Sequence, residues 1–568
     1  MSVTGIVVSS GIAFGQALHL NLHHQKIDYR LIPQTKVAAE ISTLNKAFKQ
    51  QTQYLHQCLQ LLETGSEHFE LIEADLMILE DDDLIEEIAQ AIRQLQISAA
   101  VAIERIFSHQ SSELAQLDDP YLANRAQDIL CLASRLIARL NGAQHLDLSQ
   151  LKVDTVIFAH DLTPAEFAML PLEHISGLVL ETGGITSHTA ILARSAGIPA
   201  VLSCKYDAKQ IANGTPVVLN ALQGEVIIAP TQEVNSQLEE LKQQDEQRKK
   251  QLLTLRDLPV QTKDGHKVAL LANVGSLNEI SHLADVGAEG IGLFRTEFML
   301  MNTQTLPDEK TQYQFYSDSL HLMSGKVFTI RTLDVGADKE LPCLPSIIED
   351  NPALGLRGVR YSLANPELFM TQVKAILRAA NHGPVRLMFP MINQVEELEQ
   401  LFSYIEQCKA KLIEEEKGFG ELSYGIVVET PAAVLNLASM LPYLDFISIG
   451  TNDLSQYTMA ADRSNPSLTM QYPSLSPAVL QLVKNTIELA KSHKITVSLC
   501  GELASSPKVA PLLVGMGIDE LSVNLSSILE VKSALRDISY QKCLALSKHA
   551  LTLTRINELD DYLNGQYS

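Results

Sequence analysis

After Pro259 the chain keeps a rhythm that few folds can satisfy. Short apolar runs alternate with helical stretches, eight times over, at 268–271, 290–294, 327–330, 385–389, 424–428, 446–449, 496–499 and 521–523. Eight buried strands, each followed by a helical stretch, make the pattern of a (β/α)8 barrel. An open doubly wound sheet is the structural alternative. Such a barrel takes about 250 residues, and the chain has 568, so it must hold more than one domain.

Upstream the texture changes twice. The first residues are short, apolar and punctuated by glycine, which reads as strands and turns. From Pro33 to Asn141, Leu, Ile and Ala recur at helical spacing among Glu and Gln, with Pro120 the only proline between them, so several amphipathic helices packed as a bundle are expected. From Val153 the period shortens again: 153–159 and 175–180 read as buried strands, and 216–219 with 225–228 as a hairpin pair. The first and third blocks share a texture that the second interrupts, which predicts one α/β domain carrying a helical insertion. The expected boundaries are 1–20 plus 145–230 for the α/β domain, 21–144 for the insertion, 231–257 for a Gln/Glu/Lys-rich linker helix, and 258–568 for the barrel.

In a parallel barrel the carboxyl ends of the strands meet at one rim, where the loops build a site. Polar residues fall just past those ends. Arg295 and Glu297 follow the second strand, and Arg331 and Asp334 the third. Arg357, within 354–360, is expected to reach the rim from a fourth strand; Glu429 then follows the sixth, Asn452 and Asp453 the seventh, and Cys500 and Glu502 the eighth. Arg463 comes a little after the seventh. Several guanidinium groups converging on one rim suit a small polyanion with phosphate or carboxylate groups. Glu429 and Asp453, on separate strands, offer hard oxygens to a Mg²⁺ ion that keeps waters and substrate oxygens. Cys500 would be a thiol beside substrate, able to donate a proton. Singly, each is more often an ion-pair member or inert core; their shared position at strand ends shifts those odds.

A second constellation lies in the α/β domain. Gly183-Gly184 permits a tight turn after a buried strand, Thr186 or Ser187 can cap a helix, and His188 then falls in its first turn. An imidazole there lies near unpaired backbone N–H groups, where a phosphoryl group on it would be stabilised. A capping histidine without chemistry is the plainer alternative.

Charge narrows the partners. Lys and Arg number 44 against 67 Asp and Glu, a net charge of −23, which argues against nucleic acid or an anionic membrane surface. No apolar run approaches the length of a membrane span. No signal peptide is read at the amino terminus, and the seven scattered cysteines form no Cys-x-x-Cys pair, so reduced thiols in a cytoplasm are expected.

The segment Gly183-Gly184-Ile185-Thr186-Ser187-His188-Thr189-Ala190 resembles the phosphohistidine signature of the phosphoenolpyruvate-utilising enzymes, and 445–457 resembles the second signature of that family. The likeness runs in order from Gly11 to about Asn524, and is greatest to the Enzyme I group of bacterial sugar phosphotransferase systems. The resemblance implies that His188 takes a phosphoryl group from phosphoenolpyruvate and passes it to a histidine of the carrier HPr, releasing pyruvate, as the first step of sugar uptake. It further implies that Thr163 orients the histidine, that Arg295, Arg331, Arg357, Asn452 and Arg463 bind substrate, that Glu429 and Asp453 hold Mg²⁺, and that Cys500 protonates enolpyruvate. The helical insertion would dock HPr through the acidic stretch 67–83, and two copies would pair through the barrel. Ile185 departs from the signature, where a basic or small polar residue is more usual, so a phosphate contact from that site is not expected. The alternatives are a paralogue serving a nitrogen-regulatory branch, a non-catalytic HPr-binding relative, and a pyruvate-phosphorylating synthetase or dikinase relative, which would need an ATP-binding domain in place of the insertion.

Overall fold

The computed structural model describes residues 2–20, 27–59, 67–115, 120–140, 153–162, 167, 170–183, 188–207, 210–300, 305–336, 341, 343–344, 349–462, 465, 468 and 471–566. The chain divides into two compact units, Met1–Arg248 and Lys249–Ser568.

The first unit is built on a mixed sheet. Its strands are β1 (Ser2–Thr4), β2 (Ile6–Ser9), β3 (Ile12–Leu20), β4 (Thr155–Ala159), β5 (Ile175–Leu180), β6 (Ala200–Leu202), β7 (Pro216–Asn220) and β8 (Glu225–Ile228), in the spatial order β1-β8-β7-β3-β4-β5-β6-β2. Strands β3 to β6 run parallel, and β7 and β8 form the antiparallel pair read from the sequence. Alternation along β4 shows why the sheet is covered on both faces. Ile157 and Ala159 join one apolar cluster, and Val156 and Phe158 join the opposite one.

Between β3 and its neighbour β4 the described residues form five α-helices: α1 (Val37–Leu59), α2 (Glu67–Leu79), α3 (Asp82–Leu95), α4 (Ala99–Ala115) and α5 (Pro120–Leu140). They bury a core of their own around Leu44, Phe48, Leu55, Ile88, Ile103, Phe107 and Leu136. Helix α3 starts where Asp81 accepts hydrogen bonds from the backbone N–H groups of Asp83 and Leu84. Helix α6 (His188–Ser195) follows β5, burying Ala190 and Ala193 against the sheet, and α7 (Gln232–Leu253) carries the chain across the boundary of the two units.

The second unit is a closed parallel barrel. Its strands are β9 (Ala269–Val274), β10 (Gly290–Arg295), β11 (Val327–Arg331), β12 (Val385–Phe389), β13 (Leu422–Val428), β14 (Phe446–Ile449), β15 (Thr496–Leu499) and β16 (Glu520–Asn524), and β16 pairs with β9 to close it. Closure excludes the open sheet. The eight strands are the eight apolar runs of the sequence, each within a few residues. One set of alternate residues, such as Phe328 and Ile330 or Ile447 and Ile449, packs outward into a large core shared with the helices. The other set faces the axis and is unusually polar for such a barrel. Arg386 of β12 reaches Glu520 of β16, four strands away in the ring, at 2.7 and 3.1 Å.

One expectation fails here. Arg357 does not lie on a strand: it sits between a 3₁₀ turn (Pro352–Leu354) and the helix Val359–Ala364, within the connection from β11 to β12. Gly358 adopts φ +54°, a conformation a strand does not use. Glu429 therefore follows the fifth strand, Asn452 and Asp453 the sixth, and Cys500 and Glu502 the seventh. Among the described residues, no helix is long and apolar enough to cross a membrane, and none of the seven cysteines is in a disulfide.

Candidate active site

On three strands the inward set runs on to a polar or ionisable residue at the carboxyl end. Thr329 is followed two residues on by Arg331, Val427 by Glu429, and Ser498 by Cys500. A period of two thus aims Arg331, Glu429 and Cys500 at the same rim.

The arginines there are of two kinds. Arg331, buried, places one guanidinium nitrogen 2.6 Å from Glu297 Oε1 and another 3.0 Å from Asp334 Oδ2. Arg357, only 2 % exposed, reaches Asp453 Oδ1 at 3.1 Å and Asp334 Oδ1 at 3.3 Å, and donates to the Tyr457 hydroxyl at 3.0 Å. Burial works against both charges, yet Glu297 and Asp334 outweigh it at Arg331, as Asp334 and Asp453 do at Arg357, so both pKa values are raised. Arg295, at the end of β10, differs. Among the described residues no hydrogen bond or ion pair engages its guanidinium, and burial, followed by the nearby Arg331, lowers its pKa. The charge of Glu297 acts on it, but among the described residues it makes no ion pair of its own, unlike the two neighbouring cations braced by carboxylates.

Glu429 is buried, and its Oε1 accepts a 2.6 Å hydrogen bond from the backbone N–H of Met391. Met391 holds φ +60°, a costly conformation for a side chain of its kind. Burial first, then the adjacent carboxylates of Asp453 and Asp334, push the Glu429 carboxyl up to about 8. Gly450 clears the space beside its second oxygen, since a Cβ there would lie 3.0 Å from Glu429 Oε2. Glu429 and Asp453 are thus hard oxygen donors crowded together with room next to them, which fits a divalent cation that also keeps waters or substrate oxygens. Among the described residues no group of three His, Cys, Asp or Glu forms a protein-only cage.

Cys500 lies at the mouth of the barrel, packed with Leu293, Met388, Val427 and Phe446. Burial pushes its thiol up, against a smaller opposing pull from Ser448, so it is a protonated thiol with a proton to give. Asn452 and Glu502 grip each other reciprocally: Asn452 Nδ2 donates to Glu502 Oε1 at 3.1 Å, and the Glu502 N–H donates to Asn452 Oδ1 at 3.1 Å. Arg463 lies outside the described residues.

In the first unit, His188 is the opening residue of α6, as the sequence predicts. Thr189 anchors that turn by donating to the carbonyl of Leu162 at 2.7 Å, and Ser203 fixes Gly183 by donating to its carbonyl at 2.8 Å. His160 and Glu181, at the ends of β4 and β5, form a pair at 2.8 Å. Thr163 and Ile185 lie outside the described residues. Sequence reading overlooked Tyr457, whose hydroxyl links Arg357 to the carbonyl of Ala353. Its place within the second signature was the available signal.

Three profiles of phosphoenolpyruvate-utilising enzymes match the chain: the N-terminal domain over 4–125, the mobile domain over 151–224, and the PEP-binding domain over 249–540. A phosphoenolpyruvate-protein phosphotransferase of Haemophilus influenzae is 38% identical over 99% of this chain and 98% of that protein. One from Buchnera aphidicola subsp. Schizaphis graminum is 36% identical over 99% of each. A barrel rim furnished for a polyanion, a histidine opening a helix in a separate unit and likeness along nearly the whole length point the same way: the chain belongs to the phosphoenolpyruvate-utilising enzyme family, among its phosphoenolpyruvate-protein phosphotransferases.

Proposed function

We propose that this chain moves the phosphoryl group of phosphoenolpyruvate onto His188 and from there to a histidine of an HPr-type carrier, releasing pyruvate, as the entry step of a cytoplasmic sugar phosphotransferase system. The observation that carries the reading is the rim itself: unpaired Arg295 beside braced Arg331 and Arg357, with Glu429 and Asp453 adjacent.

Phosphoenolpyruvate brings a carboxylate and a phosphate, and each needs planar, charged donors. Arg295 is free to clamp one of them. Arg331 and Arg357 are held by their carboxylates in fixed orientations, so little has to reorganise when the substrate arrives. Arg463 and Asn452 complete the contacts. Mg²⁺ held by Glu429 and Asp453 would neutralise charge on the phosphate oxygens. Transfer of a phosphoryl group asks for alignment and charge neutralisation more than for a strong base. His188 receives the group, oriented by Thr163, and the enolpyruvate left behind takes its proton from Cys500.

His188 and the rim belong to different units, so the histidine must travel between them, and the linker at 231–257 serves as the hinge. The working division is 1–20 plus 145–230 for the phosphohistidine domain, 21–144 for the carrier-docking insertion, and 258–568 for the barrel. For the carrier, α2 and the start of α3 offer Met77, 73 % exposed, among exposed Glu73, Glu80, Asp81, Asp82 and Asp83. That mixture suits a partner with a basic rim around apolar contacts. The reading includes pairing of two copies through the barrel.

The test is to supply phosphoenolpyruvate, Mg²⁺ and a purified HPr. Pyruvate should appear together with an acid-labile, base-stable phosphoryl group on the carrier. If no pyruvate forms, the transferase reading fails.

A further inference from the structure

The Cys500 thiol is held only loosely by its own polar contacts. Its Sγ lies 3.8 Å from the carbonyl of Ile449, with the Ser448 hydroxyl as a second polar neighbour. What fixes the residue is its backbone. The Cys500 N–H donates to the Ile449 carbonyl at 3.1 Å, and the Cys500 carbonyl accepts from Asn273 Nδ2 at 3.1 Å. Asn273 lies on β9 and reaches past β16 to the end of β15. Its other end is held in turn, because Ser522 Oγ donates to Asn273 Oδ1 at 2.6 Å.

The chemistry allows only one arrangement of this relay. The Cys500 carbonyl only accepts, so the amide nitrogen of Asn273 must face it, leaving the amide oxygen for the Ser522 hydroxyl. The neighbouring strand makes room, since a Cβ on Gly292 would lie 2.4 Å from Ser522 Oγ. Asn273 is 9 % exposed and Ser522 fully buried. Polar groups in a barrel interior are costly unless each is bonded, and an apolar pair would fill the space without that demand. The relay ends on the backbone of Cys500.

Building on Cys500 as the proton donor, we propose that Asn273, held by Ser522, is a positioning residue that fixes the side of the enolpyruvate from which the proton arrives. Once the phosphorus–oxygen bond has broken, the enolate oxygen becomes the carbonyl oxygen of pyruvate and C3 takes the proton from Sγ. The thiolate left behind recovers a proton from water. A thiol whose backbone is pinned delivers to one side of C3. Without Asn273, the Cys500 carbonyl loses its partner, the loop after β15 shifts, and water competes for C3 from both sides.

The chirality of the product methyl group reads this directly. Phosphoenolpyruvate deuterated stereospecifically at C3 is turned over by the full chain in tritiated water, and the pyruvate methyl is analysed. The wild type should give predominantly one chirality, and Cys500→Ala a mixture. Asn273→Ala should give a mixture too, with pyruvate formation slowed about tenfold or more. Ser522→Ala, which leaves the amide in place but frees it, should give an intermediate excess. If Cys500→Ala mixes and Asn273→Ala keeps the wild-type excess, Asn273 does not position the donor. If Cys500→Ala itself keeps the excess, Cys500 is not the donor and the underlying assignment fails instead. Should Asn273→Ala not fold, Ser522→Ala decides: a full wild-type excess in it overturns the proposal.

Discussion

The barrel rim and the end of the α/β sheet that carries His188 are built on opposite electrostatic plans. At the rim, Glu297, Asp334, Glu429 and Asp453 stand among Arg295, Arg331 and Arg357, mostly buried and cross-paired. Among the described residues around the start of α6, hydroxyls donate to backbone carbonyls, Thr189 to Leu162 and Ser203 to Gly183, with the His160–Glu181 pair nearby and partly exposed. The difference matches what each place must do on the proposed mechanism. A site that stabilises charge during bond breaking gains from rigid, desolvated ions. A residue that takes a group and must give it away gains nothing from binding that group tightly.

Four outcomes would break or sharpen that contrast. The largest belongs to the braced arginines. Arg357→Ala withdraws a guanidinium from Asp453 and from Asp334, which keeps Arg331, in a buried site, so stability in urea should fall by about 3–5 kcal/mol and phosphoryl transfer should nearly vanish. Arg295→Ala should behave differently. Because no carboxylate depends on it, the melting temperature should hold while KM for phosphoenolpyruvate rises about tenfold or more, as for a lost hydrogen bond to a charged group. Equal losses of stability in the two variants would erase the distinction between braced and free arginines.

Third, chelating divalent cations should stop pyruvate formation, and restoring Mg²⁺ should recover it in the wild type but not in Glu429→Gln. Unchanged turnover under chelation would remove the metal from the rim. The smallest effect lies on the outside of the barrel. Burial opposes the charge of Glu309, but Lys374, Arg378 and Lys417 pull its carboxyl down from 4.5 to about 2. A carboxyl lowered on folding stabilises above its unfolded pKa and loses that contribution as pH falls through the folded one. Glu309→Gln should thus cost about 1–2 kcal/mol at neutral pH, with the difference closing between pH 4.5 and about 2. Its transfer rate should match the wild type, since charge away from the rim serves the fold alone.

Much of this was visible in the amino acids, for a physical reason. Parallel strands buried by helices are continuous apolar runs, so the eight barrel strands announce themselves, and the residues just past them fall at the rim by geometry. Arg357 misled because Leu354-Gly355-Leu356-Arg357 alternates like a strand, while the turn that breaks it depends on Gly358 and its positive φ. The partners of Arg357 were not legible. Asp453 lies 96 residues away in sequence, and only closure of the barrel brings it to 3.1 Å. The same holds for Asn273 and Cys500, 227 residues apart. Spacing identifies groups on one element, whereas pairing across a ring is a property of the closed fold.

The central claim is that the rim's substrate gives its phosphoryl group to one imidazole. Phosphorus-labelled phosphoenolpyruvate and Mg²⁺, with the wild type and His188→Ala side by side, test it most directly. The wild type should take up close to one acid-labile phosphoryl group per chain, mapped by mass spectrometry to His188, and the variant none. Labelling of His188→Ala at the wild-type rate would contradict the account.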